Sequence, residues 1–321
     1  MVPAGRPRPR PQAHPAVADD VDARPRREPE VNRRKADAAL AVNTLIWGAT
    51  FTVVKSALRD ISPLLFLALR FSVAICALAA LWMFGWKRRK PEAGAIAAGI
   101  VTGALLFAGF FFQTVGLQFT TPPKSAFLTG LSSVMVPLLA AIVYRNRPQP
   151  VEVLGVLVAT AGLALMTLEG PLGSTGKGDL LTLICAVAFA GHIVTLGHYS
   201  ERFSFEVLTI VQVGTSAVLA LGLFWWAEPA RIHWRPGVIY AILVTGLLAT
   251  ALAYSIQSWA QKFTSSTRTA LIYSLEPLFA WLISYWALGE GLAGRAAAGA
   301  VLILGGVVLV EVKPMHSRLH P

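Results

Sequence analysis

Ten apolar runs of about 20 residues each fill the chain beyond Lys35, and they limit what it can fold into. A helix of that length spans the roughly 30 Å hydrocarbon core of a bilayer. Only 14% of the residues are charged, against about 25% in soluble domains. The pattern predicts an all-α integral membrane protein with ten transmembrane helices, here called the first to tenth spans. Their approximate bounds are 38–57, 63–86, 94–117, 125–143, 151–169, 179–198, 206–226, 237–259, 269–288 and 294–312.

Positive charge is unevenly distributed between the two sides that the spans define. An even number of spans places both termini on one side, which receives twenty Lys and Arg residues against seven on the other. Without the N-terminal tail the ratio is still eleven to seven. Lys and Arg accumulate on the cytoplasmic side of membrane proteins. The chain is therefore predicted to be a multi-pass protein of the cell inner (plasma) membrane with both termini in the cytoplasm.

The net charge of +11 does not indicate a nucleic-acid partner, because the basic residues lie in the tail and in short loops. No basic face with interleaved aromatic residues accompanies them. The lipid bilayer is the expected partner of most of the surface. Residues 1–37 are predicted to form a disordered, basic, Pro/Arg-rich cytoplasmic tail, which is either solvated or bound to anionic lipid. Residues 313–321 are predicted to form a cytoplasmic C-terminal tail.

The chain repeats itself at an offset of about 144 residues. The stretch "FTTPPKSAFLTGL" from Phe119 aligns without a gap with "FTSSTRTALIYSL" from Phe263. Further pairs share this offset or one within two residues of it: Gly155 with Gly299, Gly162 with Gly306, Ser62 with Ser204, and Arg70 with Gln212. The chain is therefore predicted to contain two copies of a five-helix unit, at 38–169 and 179–312.

Each copy contains an odd number of spans, so the second copy enters the membrane inverted relative to the first. Inverted repeats are typical of secondary transporters, whose binding site lies between the two halves near the membrane midplane. The repeat therefore predicts a transporter with a site between the copies.

Glu276 lies in the apolar run "LIYSLEPLFAWLISYW" (271–286) and is followed by Pro277. If the ninth helix begins near Thr269, Glu276 lies about 10 Å from its cytoplasmic end. An acid at that depth costs a few kcal/mol and should face protein or water. Pro277, the predicted helix kink, frees the carbonyl of Tyr273, which needs the same surroundings. Glu276 either stabilises a neighbouring helix or takes part in substrate or proton binding.

Arg70 lies about 10 Å from the outer end of the second span. Three roles are open to it: a direct pair with Glu276, which their different depths disfavour, snorkelling to the outer surface, and binding of backbone carbonyls or of a substrate carboxylate. The repeat aligns Arg70 with Gln212 and Glu276 with Ser132. The symmetry of the fold therefore requires neither charge.

His192, near the middle of the sixth span, is predicted to be a hydrogen-bonded packing residue or a group that titrates near neutral pH. His198 lies about 240° further round the helix, so the two do not form a metal-binding face. The loop "GSTGKGD" (173–179) lacks the Gly and the Ser or Thr that a phosphate-binding loop requires. Neither a metal nor a cofactor is expected.

Four stretches, in their order along the chain, resemble the drug/metabolite transporter superfamily, specifically its EamA branch, and the resemblance covers about residues 38–312. The stretches are "NTLIWGATFTVVKSAL" from Asn43, "SPLLFLALRFSVA" from Ser62, "FTTPPKSAFLTGL" from Phe119 and "SLEPLFAWLISYWALGE" from Ser274. Within them Trp47-Gly48, Pro63 with Arg70, and Glu276-Pro277 match family positions.

The resemblance implies a fold of two inverted five-helix EamA repeats and the export of small metabolites, often amino acids, or of amphipathic drugs. It also implies a cavity lined mainly by the first, third, fourth, sixth, eighth and ninth spans. Those spans would contribute Trp47, Gln113, Thr129, His192, Tyr254, Tyr273 and Glu276, with Arg70 as a structural or coupling charge.

The sequence thus predicts a secondary transporter of the EamA type, and not an enzyme, that exports small metabolites such as amino acids or amphipathic drugs by alternating access. Its expected partner is a small-molecule substrate, and no oligomeric state is predicted. The alternatives are a non-transporting membrane scaffold, a membrane-embedded enzyme that uses Glu276 as general acid or base, and a passive channel.

Overall fold

The computed structural model describes residues 30–85, 91–120, 122–145, 148–167, 176–279, 282–283 and 294–312. These residues are almost entirely helical, and a π-helical segment, Leu247–Leu252, joins the tenth and eleventh helices. The helices are α1 (Glu30–Gly48), α2 (Thr50–Ala57), α3 (Pro63–Phe84), α4 (Ala93–Gly116), α5 (Pro122–Gly130), α6 (Ser132–Val143), α7 (Pro150–Thr167), α8 (Lys177–Ser200), α9 (Phe205–Ala227), α10 (Pro236–Gly246), α11 (Ala253–Ala260), α12 (Ser266–Tyr273) and α13 (Gly294–Val312).

Among the described residues, seven helical stretches are long and apolar enough to cross a membrane, and they coincide with the predicted first to fourth and sixth to eighth spans. The predicted fifth and tenth spans form shorter apolar helices, at Pro150–Leu165 and Gly294–Val310. The predicted ninth span is described only as α12, as a helical turn at 276–279 and at residues 282–283. The structure therefore supports a helical membrane protein but not the full count of ten spanning helices.

The first helix begins earlier than predicted, at Glu30, inside the expected tail at 1–37. Ala36 is fully buried in this added stretch, and Asp37 forms an ion pair with Arg268 at 3.3 Å. These contacts stabilise the added helical turns, which belong to a candidate span that begins at Asn32. The rest of the predicted tail, residues 1–29, and the predicted C-terminal tail at 313–321 lie outside the described residues, as does the loop at 168–175.

Contacts between loops define two opposite ends of the helix bundle. At one end the loop at 58–62 pairs with the loop at 228–235, where the Ser62 backbone N–H donates to the Arg231 carbonyl at 2.9 Å. We call this end, which also carries residues 117–120, the predicted outer face.

At the other end the Ser265 hydroxyl donates to the Glu152 carboxylate at 3.3 Å, and the Tyr144 ring stacks on His198 with centroids 4.1 Å apart. We call this end the predicted cytoplasmic face, because these residues lie in or beside the loops predicted to be cytoplasmic. Each predicted span whose two ends are described connects the two faces, as alternating crossings require.

The repeat-related helices α7 and α13 pack against each other in antiparallel directions. Gly155 lies against the Gly306 carbonyl, where an added Cβ would be 2.9 Å away, and Gly162 lies against the Gly299 carbonyl, at 2.5 Å. Small residues allow such close approach of membrane helices. The repeat aligns Gly155 with Gly299 and Gly162 with Gly306. The symmetry of the repeat therefore converts the Gly155–Gly306 contact into the Gly162–Gly299 contact. An antiparallel pair of equivalent helices is the arrangement that inverted repeats require.

The same approximate two-fold symmetry relates α3 and α9 to their neighbours. Gly103 in α4 lies against the Gln212 carbonyl, where an added Cβ would be 2.5 Å away. Gly246 at the end of α10 lies against the Arg70 carbonyl, at 3.0 Å. Gly103 and Gly246 are equivalent in the repeat, as are Gln212 and Arg70. The alignment found in the sequence therefore reappears as matching backbone contacts in both halves.

The predicted fourth and ninth spans are broken at equivalent points. The α5 helix gives way to α6 at Leu131, and α12 ends before a turn at Ser274 and Leu275. The repeat offset of 144 places Leu131 on Leu275. Interrupted helices near the middle of inverted repeats are where transporters of this architecture bind substrates and ions. The two breaks therefore direct attention to the residues that follow them.

Candidate functional site

A cavity of about 90 Å³ lies at the centre of the bundle, next to both helix breaks. On this measure it has room for several ordered water molecules. The structure brings all of the predicted cavity and charge residues into its wall: Trp47, Arg70, Gln113, Thr129, His192, Tyr254, Tyr273 and Glu276. Pro277, the predicted kink, is buried beside the cavity and does not line it. The roles of these residues in binding stay predictions.

Aromatic rings form one side of the cavity around Tyr254. The Trp47 ring centroid lies 5.6 Å from that of Tyr254 and 4.8 Å from that of Tyr273. Phe110 and His192 also pack against Tyr254, with centroid distances of 6.0 and 5.6 Å. Aromatic pairs in this range attract each other beyond simple area burial. The cavity therefore has a rigid apolar wall that suits an apolar or aromatic ligand group.

Arg70 enters the cavity from α3 and is only 3% exposed. Its Nε donates to the Thr250 hydroxyl at 2.8 Å, its Nη2 donates to the Ala249 carbonyl at 3.2 Å, and its guanidinium carbon lies 4.1 Å above the Phe110 ring centre. Binding of backbone carbonyls, one of the roles left open by the sequence, is thus observed. Among the described residues, Nη1 has no hydrogen-bond partner.

The Ala249 carbonyl is available because the eighth span contains the π-helical segment. Wider π turns disturb the regular helical hydrogen bonding and frequently occur at functional sites. Here the same carbonyl accepts from Arg70 and from Trp47 Nε1, the latter at 3.0 Å, while the Thr250 hydroxyl donates to the Thr245 carbonyl at 2.8 Å. Sequence reasoning missed this feature, because the segment "LLATAL" contains neither Pro nor Gly.

Glu276 lies deeper than the sequence suggested. The α12 helix begins at Ser266 and not near Thr269, because the Ser265 hydroxyl caps it by accepting from the Arg268 N–H at 3.2 Å. Glu276 is therefore ten residues, or about 15 Å, from the start of the span. It is partly buried in the cavity wall directly after the helix break.

The two opposite charges of the cavity do not pair with each other. Within the described part of the chain, the Glu276 carboxylate has neither an ion pair nor a hydrogen bond, and Arg70 contacts only neutral groups. Tyr254 lies within electrostatic range of both. The cavity thus presents an acid and a base at separate points with an aromatic residue between them.

His192 belongs to a hydrogen-bonded chain that crosses from α8 to α11. Gln212 Nε2 donates to the Ser258 hydroxyl at 2.9 Å, so Gln212 Oε1 is the acceptor for His192 Nε2 at 2.8 Å. All three residues are at most 1% exposed. This arrangement agrees with the interpretation of His192 as a packing residue, although one edge of its ring also faces the cavity.

Two groups of polar side chains occupy equivalent places on opposite sides of the cavity. The Gln113 group is internally bonded: Gln113 Nε2 donates to Thr129 Oγ1 at 3.2 Å, which in turn lies 3.8 Å from Cys185 Sγ. The Gln257 group consists of the equivalent residues of the other repeat. Gln257 is equivalent to Gln113, Tyr273 to Thr129, and Asn43 to Cys185.

The Gln257 group is bonded less completely. Gln257 Oε1, Tyr273 Oη and Asn43 Oδ1 are all buried and form no well-aligned hydrogen bond among the described residues, although the Asn43 side chain lies beside the Tyr273 hydroxyl. Asn43 was not singled out from the sequence. Its equivalence to Cys185, at an offset of 142, was the available signal. The described residues contain no group of three or more His, Cys, Asp or Glu side chains that could hold a metal ion.

The fold and the cavity define a class: a polytopic helical membrane protein built from two repeats, with a polar and aromatic cavity between them. The EamA-like transporter family matches the chain twice, over residues 34–168 and 176–312. The chain therefore belongs to the EamA-like transporter family.

Known proteins similar to the chain agree with this membership. An uncharacterised transporter of Archaeoglobus fulgidus is 34% identical, with 88% of each chain covered. A probable amino-acid metabolite efflux pump of Salmonella typhimurium is 26% identical, over 87% of this chain and 95% of that protein. A protein of known crystal structure has the same fold, with a TM-score of 0.71 at 21% identity, over 87% of this chain and 96% of that one.

Proposed function

We propose that this EamA-type transporter exports small zwitterionic metabolites, with apolar amino acids as the first candidates, across the plasma membrane by alternating access. We further propose that its functional units are the repeats at 38–169 and 179–312 and that both termini are cytoplasmic. The efflux-pump name of the Salmonella relative supports the choice of amino-acid metabolites and of export.

The observation that carries this proposal is that one cavity contains two opposite charges, Glu276 and Arg70, that form no ion pair with each other. A buried charge without a partner costs several kcal/mol, so proteins pair such groups, neutralise them or reserve them for a ligand. Glu276 has no partner in the described chain, and Arg70 retains a free donor. A ligand that carries both an ammonium and a carboxylate would satisfy the two groups at once.

The remaining walls match the third part of an amino acid, its side chain. Trp47 and Tyr254 offer ring faces to an apolar group. The incompletely bonded oxygens of Gln257, Tyr273 and Asn43 can accept hydrogen bonds from the ammonium, either directly or through water. The cavity thus combines an apolar body with a few convergent polar groups, which is the usual composition of a small-molecule site.

Two features of the fold support alternating access. The halves are related by an approximate two-fold axis, so exchanging their conformations would expose the cavity on the other face. The equivalent breaks at Leu131 and at Ser274 and Leu275 supply points at which the fourth and ninth spans can bend without losing a long run of helical hydrogen bonds. No ATP site is needed, because a gradient can drive such a cycle.

The direct test is uptake of radiolabelled apolar amino acids into proteoliposomes that contain the purified full chain. We expect saturable flux, acceleration by unlabelled amino acid on the opposite side, and no chemical change in the substrate. Linear, unsaturable flux would identify a channel, and product formation in detergent would identify an enzyme. Absence of flux for amino acids, their amines and amphipathic cations would contradict a transport function.

A further inference from the structure

We propose that Lys55 and Gly197 are the two positions that set the closure of the cavity, Lys55 at the predicted outer face and Gly197 at the predicted cytoplasmic face. This inference rests on the proposed transport function, since it assigns the gates of that cycle. It goes beyond the alternating-access scheme because it predicts that the two gates close by different chemistry.

The outer contact joins α2 to the loop that follows α4. Lys55 Nζ donates to the Leu117 carbonyl and, at 3.1 Å, to the Thr120 carbonyl. Val54, its neighbour, and Leu117 both line the central cavity. The ammonium therefore lies just beyond the outer end of the cavity and connects its two walls.

The cytoplasmic contact joins α8 to Gln261, directly after α11, and to Ser266, the first residue of α12. The Gln261 amide and the Ser266 hydroxyl both donate to the Ile193 carbonyl, at 2.9 and 3.3 Å. Gly197, one turn further along α8, makes this possible: a Cβ at this position would lie 2.2 Å from the Ser266 hydroxyl. Contact here depends on the absence of a side chain.

The two contacts share equivalent positions in the inverted repeat, namely Lys55 with Gly197 and Leu117 with Gln261. The offset of 142 that relates Arg70 to Gln212 also places Lys55 on Gly197. The offset of 144 places the loop at 117–120 on residues 261–264. Because the repeats are inverted, one contact closes the outer end of the cavity and its equivalent closes the cytoplasmic end.

A second cavity identifies the cytoplasmic contact as a barrier on a pathway. This cavity has a volume of about 450 Å³ and is lined by polar residues of the predicted cytoplasmic face, including His198, Glu201 and Lys262. The two cavities approach each other at one apolar cluster, in which Ile193 lines the central cavity and Val194, the next residue, lines the second. Opening the contact between α8 and Ser266 would connect the two cavities.

The chemistry of each gate predicts how it fails. Removing the ammonium leaves the Leu117 and Thr120 carbonyls without their shared donor, so Lys55→Met should open the outer end. A methyl group at Gly197 displaces the Ser266 hydroxyl from the Ile193 carbonyl, so Gly197→Ala should open the cytoplasmic end. Ser266→Ala removes the same hydroxyl without adding volume and should act in the same direction as Gly197→Ala.

The test uses Ser132→Cys as a reporter in the central cavity, in a background with Cys76→Ala and Cys185→Ser. Rates of modification by a membrane-impermeant thiol reagent are measured from each side of sealed vesicles. We expect Lys55→Met to raise the modification rate from the predicted outer side roughly tenfold, as loss of a charge-assisted contact implies. The same variant should lower the rate from the predicted cytoplasmic side. Gly197→Ala and Ser266→Ala should shift the rates in the opposite sense.

Two matched controls accompany these variants. Lys55→Arg keeps a cation that can reach the same carbonyls, and Gly191→Ala adds a methyl group to the same helix where the nearest atom, on Leu105, is 3.4 Å away. Both should label as the parent does. Unchanged labelling in Lys55→Met, or shifts in the same sense for Lys55→Met and Ser266→Ala, would overturn the gate assignment.

Labelling requires no substrate, so the gates and the transport function are tested separately. Opposite labelling shifts without flux of any solute would keep the gates and reject the proposed transport. If the parent transports amino acids but labelling rates are the same in all three variants as in the parent, the transport function is supported and the gate assignment is rejected.

Discussion

The two polar groups that face each other across the cavity occupy equivalent positions in the repeat but differ in how fully they are bonded. In the Gln113 group the side chains bond to one another and leave no buried atom unpaired among the described residues. In the Gln257 group three buried oxygens form no well-aligned hydrogen bond, although Asn43 lies beside Tyr273, and Glu276 follows the adjacent helix break. Buried polar groups are normally satisfied, so unpaired ones require an explanation.

The difference indicates that duplication supplied the frame of the cavity and that divergence of one side supplied its binding groups. The satisfied side holds α4, α5 and α8 together. The unsatisfied side keeps acceptors available for a ligand at a cost in stability. This division of roles can be tested by making equivalent substitutions on the two sides.

The largest contrast is expected between Glu276 and its equivalent, Ser132. Glu276→Gln removes the charge that would bind a ligand ammonium while keeping the shape of the side chain, and charged partners contribute about 1.5–3 kcal/mol. We expect flux to fall between tenfold and a hundredfold, with the folded protein still abundant. Ser132→Ala should retain flux within about twofold. Equal losses in the two variants, measured as initial rates in proteoliposomes, would remove the distinction between the sides.

Arg70 and its equivalent Gln212 should separate binding from stability. Arg70→Gln introduces the residue of the other repeat and should lower flux about tenfold, mainly through a higher KM for substrates that carry a carboxylate. An amine that lacks the carboxylate should be affected little. Gln212→Ala breaks the bonds to His192 and Ser258 and should lower the thermal stability instead, by about 1–3 kcal/mol. If Arg70→Gln lowered the flux of the carboxylate-bearing substrate and of the amine equally, Arg70 would have a purely structural role.

The smallest contrast is expected between Tyr273 and Thr129, which are also equivalent. Tyr273→Phe removes a buried hydroxyl that forms no well-aligned hydrogen bond, so thermal stability should change little, while the apparent substrate affinity should fall about threefold. Thr129→Val breaks a satisfied chain and should cost about 1 kcal/mol in stability with little change in affinity. Melting temperatures measured with and without substrate give both the stability and the apparent affinity. If Thr129→Val weakened substrate binding and Tyr273→Phe lowered only stability, the binding side would be misassigned.

Much of the frame followed from the sequence. Apolar runs predicted where the helices lie, and the repeat aligned Gly155 with Gly299 and Gly162 with Gly306, the four glycines that the structure brings into contact. Both inferences rest on strong physical constraints: backbone satisfaction in lipid and the small number of residues that allow close helix contact. The start of α1 was missed because its stabilising contacts, such as the Asp37–Arg268 pair, are distant in sequence.

The site was less accessible to sequence reasoning. Glu276 and Arg70 stood out as charges in apolar runs, whereas the full set of lining residues came from the resemblance to the EamA branch. The hydrogen bonds that the Ala249 carbonyl accepts from Arg70 and Trp47, and the position of Asn43 beside Tyr273, depend on how neighbouring helices cross. Such features have no local pattern, because they arise from tertiary contacts between residues about 200 positions apart.

The central claim is that the Glu276 side of the cavity binds the ammonium of a zwitterionic ligand, and one measurement tests it most directly. Competition of an apolar amino acid and of its N-acetyl derivative against labelled substrate is measured for the parent and for Glu276→Gln. We predict that acetylation weakens competition strongly in the parent and hardly at all in the variant. Equal discrimination against the acetylated compound in both proteins would contradict the claim.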